Sequence, residues 1–221
     1  MAKKQDKKVI SKVMSHRQIP EPTISRISLY LRTLRNIVTE DERKLTVSSS
    51  ELAKIINISS DQIRKDLSYF DGEIGKPGRG YIVSDLITHL EYILNLDSPK
   101  RVMIAGIGNL GSALSGYDGF RRGDFMLSAL FDNNPQKIGT VIHDLTVNDI
   151  KDIVKINEKL NIKVGILSVS ADVAEEVAQA MADSGVKVIL NFAPTHITPI
   201  KDVMIRNVDL TKELQVLSFY L

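Results

Sequence analysis

Apolar residues recur at helical spacing through the first part of the chain, then give way beyond Leu96 to short apolar runs alternating with helical stretches. Within residues 23–37, Ile24, Ile27, Leu31 and Leu34 form one buried stripe, with Arg26, Arg32 and Arg35 nearer its margins. Ser48, Ser49 and Ser50 offer a side-chain oxygen to cap a second helix carrying Leu52, Ala53, Ile55 and Ile56. Asn57-Ile58-Ser59 is a short turn, and a third helix runs from Ser60 to about Phe70. At about 100° per residue, Ile63, Leu67 and Phe70 face the core, so the outward side centres on Asp61, Lys65, Ser68 and Tyr69. Gln62 and Arg64 flank that side. Helix, tight turn and helix with outward cations and an amide fit a helix-turn-helix reading the major groove. The stretch Asp71–Tyr81, with four glycines and Pro77, predicts a hairpin wing bearing Lys76 and Arg79 for phosphate or minor-groove contact. The plainer alternative is a three-helix interaction module whose cations are only solvated.

Pro99 breaks the helical pattern at Asn95–Lys100, and a domain boundary is expected there. Arg101–Ala105 reads as a strand feeding into Gly106-Ile107-Gly108-Asn109-Leu110-Gly111 and a helix beginning near Asn109. In such a loop Gly106 permits the tight turn, Gly108 admits a pyrophosphate against the backbone, and Gly111 lets helix and strand pack closely. A second apolar run, Met126–Phe131, ends in Asp132, 21 residues after Gly111. A carboxylate there accepts ribose hydroxyls and repels a 2′-phosphate, which favours NAD over NADP, although Lys137 pulls the other way. Lys163–Val169 and Val186–Asn191 follow as strands, Ala171–Ser184 as a helix, and Val203–Val208 as a short strand, completing a parallel doubly wound sheet. Ser168 and the loop Asn191-Phe192-Ala193-Pro194 fall past strand C-termini, where open sheets hold ligands; an ordinary connecting loop remains the alternative. In the last helix, from Asp209, the residues Leu210, Leu214, Leu217 and Leu221 form a stripe, with Val216 and Phe219 extra. That exceeds what one sheet face usually covers and suits a partner subunit.

Composition narrows the picture further. A chain of 221 residues, 43% hydrophobic and 25% charged, has apolar material for two small domains. The absence of cysteine excludes a disulfide framework, a thiolate metal site and thiol redox sensing. Residues 1–85 carry 16 Lys and Arg against 11 Asp and Glu, and residues 86–221 carry 13 against 16, so the basic front half fits a polyanionic partner. Neither a membrane-spanning run nor a signal-type segment occurs, and a cytoplasmic location is expected.

Ile24–Arg32 (ISRISLYLR), Gln62–Phe70 (QIRKDLSYF), the glycine fingerprint, Asn191–Pro194 (NFAP) and Asn207–Leu210 (NVDL) together resemble the Rex family of NADH-responsive redox repressors, over essentially the whole chain. The resemblance implies an α/β protein with an N-terminal winged helix-turn-helix domain and a C-terminal Rossmann-type domain. The expected divisions are a basic extension at 1–22, the winged helix at 23–85, a linker helix and hinge at 86–99, the NAD(H)-binding domain at 100–208 and a swapped helix at 209–221. It further implies a homodimer on an inverted-repeat operator contacted by Arg64 and Lys65. Arg32 would serve the domain interface, and Tyr117 and Asp209 would report the nicotinamide state. Reduced nicotinamide near Tyr117 and Asp209 is expected to favour a closed dimer whose recognition helices no longer match major grooves about 34 Å apart. Two rival readings remain. A small NAD-dependent dehydrogenase could use His196 as acid or base, but no room is left for a substrate domain. A module binding coenzyme A or another nucleotide is the other.

Overall fold

The computed structural model describes residues 19–41, 43–70 and 79–221, which divide into two compact units, one up to Asp97 and one from Ser98. The N-terminal extension before residue 19 and Lys76 lie outside the described residues.

In the first unit, α1 (Glu21–Glu40), α2 (Ser49–Ile56), α3 (Ser60–Leu67) and α4 (Val83–Ile93) enclose one apolar core, and a small antiparallel sheet joins β1 (Thr46–Val47) to β2 (Tyr81–Ile82). Ile27, Leu31 and Leu34 are buried on α1 as expected, but Tyr30 is buried in place of Ile24, which is only half-buried. Of the three serines, Ser48 caps α2: its hydroxyl accepts from Glu51 N at 3.1 Å while Glu51 accepts from Ser48 N at 2.8 Å. Asn57 ends α2 in the left-handed region at φ 55°, and Ser59 caps α3 by accepting from Gln62 N, so the turn between them is tight. The third helix is shorter than expected, since Ser68–Phe70 form a turn after Leu67. One helix, α4, runs across the expected division at residues 85 and 86, because Val83, Leu86, Leu90 and Ile93 form a continuous stripe on the same core.

The second unit is built on a seven-stranded sheet in the order β5-β6-β4-β3-β7-β8-β9, parallel except for the edge strand β5. Its strands are β3 (Lys100–Ala105), β4 (Phe125–Asp132), β5 (Val141–Ile142), β6 (Leu145–Asp149), β7 (Val164–Leu167), β8 (Val188–Asn191) and β9 (Met204–Asn207). The helices are α5 (Asn109–Ser115), α6 (Gly119–Arg122), α7 (Ile153–Leu160), α8 (Ala174–Asp183) and α9 (Leu210–Ser218). Side chains on β3 alternate: Met103 and Ala105 enter a core with α7 and α8 residues such as Ile153 and Val177. Val102 and Ile104 enter the opposite core, with Leu114 and Phe120. A sheet covered on both faces explains the near-continuous apolar runs of its central strands. The order in which strands are added reverses beside β3, with β4 and β6 to one side and β7, β8 and β9 to the other. In this strand order a dinucleotide lies across the crevice at that point.

Candidate dinucleotide cleft and operator face

The glycine loop after β3 has three distinct steric environments. Gly106 sits at φ 93°, and a side chain there would collide with the Ser168 carbonyl. Gly111 is equally closed, since a Cβ would overlap the Gly106 carbonyl oxygen and lie 2.9 Å from Ser168 Oγ. At Gly108, by contrast, a Cβ would meet nothing within 4 Å, so the backbone there is bare to anything approaching from the crevice. Tight, open and tight is the sequence of demands a bound pyrophosphate makes on such a loop. Gly108 also precedes α5, whose first-turn N–H groups have no acceptor within the helix. Ser168, at the end of β7, ties the loop down by donating to Gly106 O at 2.8 Å.

Asp132 closes the β4 side. Its Oδ2 accepts from Ile107 N at 2.7 Å and from Lys137 Nζ at 3.1 Å, and its Oδ1 accepts from Asn134 N at 2.8 Å. Burial favours the neutral acid, but those backbone amides and the lysine outweigh it and hold the carboxyl below the usual carboxylate range. The carboxylate therefore braces the glycine loop, and Oδ1 keeps the spare acceptor capacity for a hydroxyl. A cleft of about 250 Å³ opens here between Gly106, Gly108, Asp132, Lys137 and Ser168. It also includes Asn133 and Asn134, which the sequence reading passed over although they adjoin the acid.

A second cleft of about 390 Å³ lies on the other side of the switch point, lined by Leu110, Ala193, Pro194, His196, Asn207 and Asp209 among others. Asn191 underlies it with its side chain pinned by backbone, Oδ1 accepting from Ala193 N at 2.9 Å and Nδ2 donating to Thr195 O at 2.8 Å. Asp209 caps α9 by accepting from Lys212 N at 3.0 Å. Tyr117 is exposed, with its ring edge-on to Phe120 at 5.5 Å, and belongs to the lining of neither cleft. Asn109 opens α5 between the two clefts and lines neither. Asn207, part of the Asn207–Leu210 motif, is not singled out by the sequence as a site residue, because its role depends on Asn191 and His196, which lie on a neighbouring strand and loop.

On the first unit, the expected operator residues separate into two groups. Lys65 and Arg64 are exposed on α3; the Lys65 ammonium has no hydrogen bond or ion pair among the described residues. Arg64 pairs with Asp61 and donates to Ser49 Oγ at 3.0 Å. Arg79 and Arg32 are also exposed. Gln62 and Tyr69 are turned inward: the Gln62 amide donates to Asp66 Oδ1 at 2.8 Å, and Tyr69 packs against the core.

Asp66 itself is fully buried and was missed by the sequence reading. It accepts from Arg26 at 2.6 and 2.7 Å, Tyr30 at 2.7 Å, Gln62 at 2.8 Å and Thr23 at 3.3 Å, tying α3 to α1. Its position three residues after Ile63 is the signal that could have found it: a carboxylate on an apolar stripe requires partners.

Two family models match the chain: "Putative DNA-binding protein N-terminus" over residues 18–68 and "CoA binding domain" over residues 97–195. Among curated proteins, the redox-sensing transcriptional repressor Rex of Carboxydothermus hydrogenoformans is 43% identical over 91% of this chain and 96% of its own length. Rex of Desulfitobacterium hafniense is 42% identical over 91% and 95%. Among solved structures, RSP, a Rex-family repressor, in complex with β-NAD+ and operator DNA matches with a TM-score of 0.85 and 34% identity, over 91% of this chain and 92% of that one. RSP in complex with β-NADH matches at 0.80 and 32%, over 92% and 94%. Identity of this extent across both units places the chain in the Rex family of redox-sensing transcriptional repressors.

Proposed function

We propose that this chain is a repressor that holds operator DNA when free or carrying NAD+ and releases it when NADH binds. The observation that carries the reading is a dinucleotide-type glycine cradle, open only at Gly108, in one polypeptide with a helix-turn-helix whose α3 exposes Arg64 and Lys65. The relatives crystallised with NAD+, NADH and operator DNA support it.

Gly106, Gly108, Asn109, Leu110 and Gly111 would hold the pyrophosphate, and Asp132, Lys137 and Ser168 the adenosine half. The nicotinamide half would fall to Asn191, Ala193, Pro194 and Asp209, with Tyr117 nearby. The dinucleotide supplies a ring whose oxidised form is cationic and whose reduced form is neutral. Leu110, Phe192, Ala193 and Pro194 line the second cleft and disfavour a cation, while the Asp209 carboxylate beside them favours one, so the charged and neutral rings differ in their fit there. That difference in affinity is what a two-state switch requires.

On α9, Leu210, Leu214, Val216, Leu217 and Phe219 are all more than half exposed within one chain. An exchanged C-terminal helix in a homodimer would cover them. The dimer would set Arg64, Lys65, Lys76 and Arg79 of each subunit on the two arms of an inverted repeat. Arg32 would serve at the domain interface, and the domain divisions would be those expected above, except that the helix Val83–Ile93 belongs whole to the first unit. Among the described residues no helix is long and apolar enough to cross a membrane, and we assign the protein to the cytoplasm, where its operator lies. Regulator rather than dehydrogenase is the reading family membership supports.

Gel-shift titration on an inverted-repeat site tests this. Retardation is expected with NAD+ and release on adding NADH. Equal retention at saturation by either form would sink the reading.

A further inference from the structure

The second cleft contains a hydrogen-bond relay that decides which atom of His196 is available to a ligand. Its starting point is unambiguous, because Asn191 is oriented by backbone: Oδ1 takes the Ala193 N–H and Nδ2 donates to the Thr195 carbonyl. The same Nδ2 donates to Asn207 Oδ1 at 2.8 Å, which orients Asn207 in turn. What faces His196 Nδ1, at 3.3 Å, is therefore the Asn207 NH2 group, which can only donate. Nδ1 must be the acceptor, and in a neutral imidazole the hydrogen sits on Nε2. Protonating Nδ1 would set one donor against another and undo the relay back to Asn191.

Asn191 is almost wholly buried at the end of β8, whereas His196 is exposed and lines the cleft. The relay thus runs from the sheet to the ligand side and leaves one neutral N–H donor there. The rest of the lining selects what that donor can meet. Leu110, Phe192, Pro194 and Leu210 form apolar walls, and among the described residues the only charged one in the lining is Asp209, with neither lysine nor arginine taking part. A phosphate has no cation to meet in this cleft and one carboxylate to repel it. A flat, uncharged or cationic ring carrying a carbonyl acceptor fits.

We propose that His196 Nε2–H donates to the carboxamide oxygen of nicotinamide, with Asn207 and Asn191 as positioning residues that fix the tautomer. This rests on the dinucleotide reading above and specifies how its nicotinamide end is recognised.

The test is calorimetric titration of the full-length protein with NADH, NAD+ and ADP-ribose, which lacks the nicotinamide. His196→Ala is expected to weaken NADH and NAD+ about tenfold, the loss of one hydrogen bond, and to leave ADP-ribose unchanged. His196→Gln, which can place an N–H near the same point, should recover most of the loss. Nitrogen-15 NMR of the imidazole should report the Nε2–H tautomer in the parent protein. In Asn207→Asp, where the partner of Nδ1 can only accept, that tautomer should be lost. Equal weakening of ADP-ribose, no change with any ligand, or an Nδ1–H tautomer in the parent would each overturn the proposal while leaving dinucleotide binding intact. A parent protein that binds ADP-ribose but no nicotinamide form overturns it as well, and one that binds none of the three overturns the dinucleotide reading with it.

Discussion

Replacing Asp66 by asparagine is the sharpest test of what holds the recognition helix in place. The carboxylate is fully buried and takes hydrogen bonds from Arg26, Tyr30, Gln62 and Thr23, each of which donates. An amide of the same shape would turn an NH2 group toward at least two of those donors in either orientation: toward Arg26 and Tyr30 at Oδ2, or Arg26, Gln62 and Thr23 at Oδ1. Removing one partner of a buried ion pair costs about 3–5 kcal/mol. Since the Arg26 side chain is 26% exposed and can partly recover hydration, the lower end, about 3 kcal/mol, is expected. Hydrogen exchange on peptides from α1 and α3 reads the loss, with β3 and β7 peptides in the same molecule as the unaffected reference. Such a destabilisation raises globally governed exchange in α1 and α3 by roughly a hundredfold or more. A pH series adds a second handle. Burial raises the Asp66 value, but the bonds from Arg26, Tyr30 and Gln62 outweigh it and hold the group below the usual carboxylate range. A depressed folded value means its stabilisation is fully present above the unfolded value of about 3.9 and is lost as pH falls through the folded one. Asp66→Asn should remove that acid-dependent component. A change in α3 protection below about 0.5 kcal/mol, the level of an ordinary surface substitution, would refute the reasoning.

The other expectations can be checked on purified variants. Gly108→Ala should fold as the parent does, because its Cβ enters open space, but lose at least about tenfold in NADH affinity by calorimetry. Gly111→Ala should instead lower the melting temperature of the second unit, because its Cβ overlaps the Gly106 carbonyl oxygen; the reverse pattern would contradict the assigned roles. Lys65→Ala should leave stability within about 0.5 kcal/mol and weaken operator binding. If Lys65 of each subunit neutralises one phosphate, the variant dimer's slope of log affinity against log salt falls by about two; an unchanged slope would rule that contact out. Leu214→Glu with Leu217→Glu, at residues 67% and 61% exposed on α9, should shift the protein to monomers in light scattering. A dimer that survives the double substitution would exclude α9 from the interface.

Element types and the glycine loop were legible because their signals are local. The continuous apolar run of β3, the stripe of α1, the turn at Asn57–Ser59 and the spacing from Gly111 to Asp132 all lie within a few residues or one βαβ unit. Residues 141–160, which form β5, β6 and α7, were passed over. Their strands are short, and β5 is paired only along the edge, so little periodicity accumulates.

By itself, then, the sequence determined the order and type of most elements, the two-part organisation and the family, since these follow from propensity, periodicity and motif spacing. Tertiary structure alone decided which polar side chains work outward and which work inward. Gln62 shares α3 with Lys65 and Tyr69 lies in the turn after it, yet Asp66, held by Arg26 and Tyr30 of α1, and the core claim them. Asp132 braces Ile107 before it can meet a ribose, and His196 takes its tautomer from Asn207 and Asn191. The physical reason is that a hydrogen bond is set by the distance and direction between two groups. When the groups that fix those positions come from different elements, only the folded chain brings them within reach.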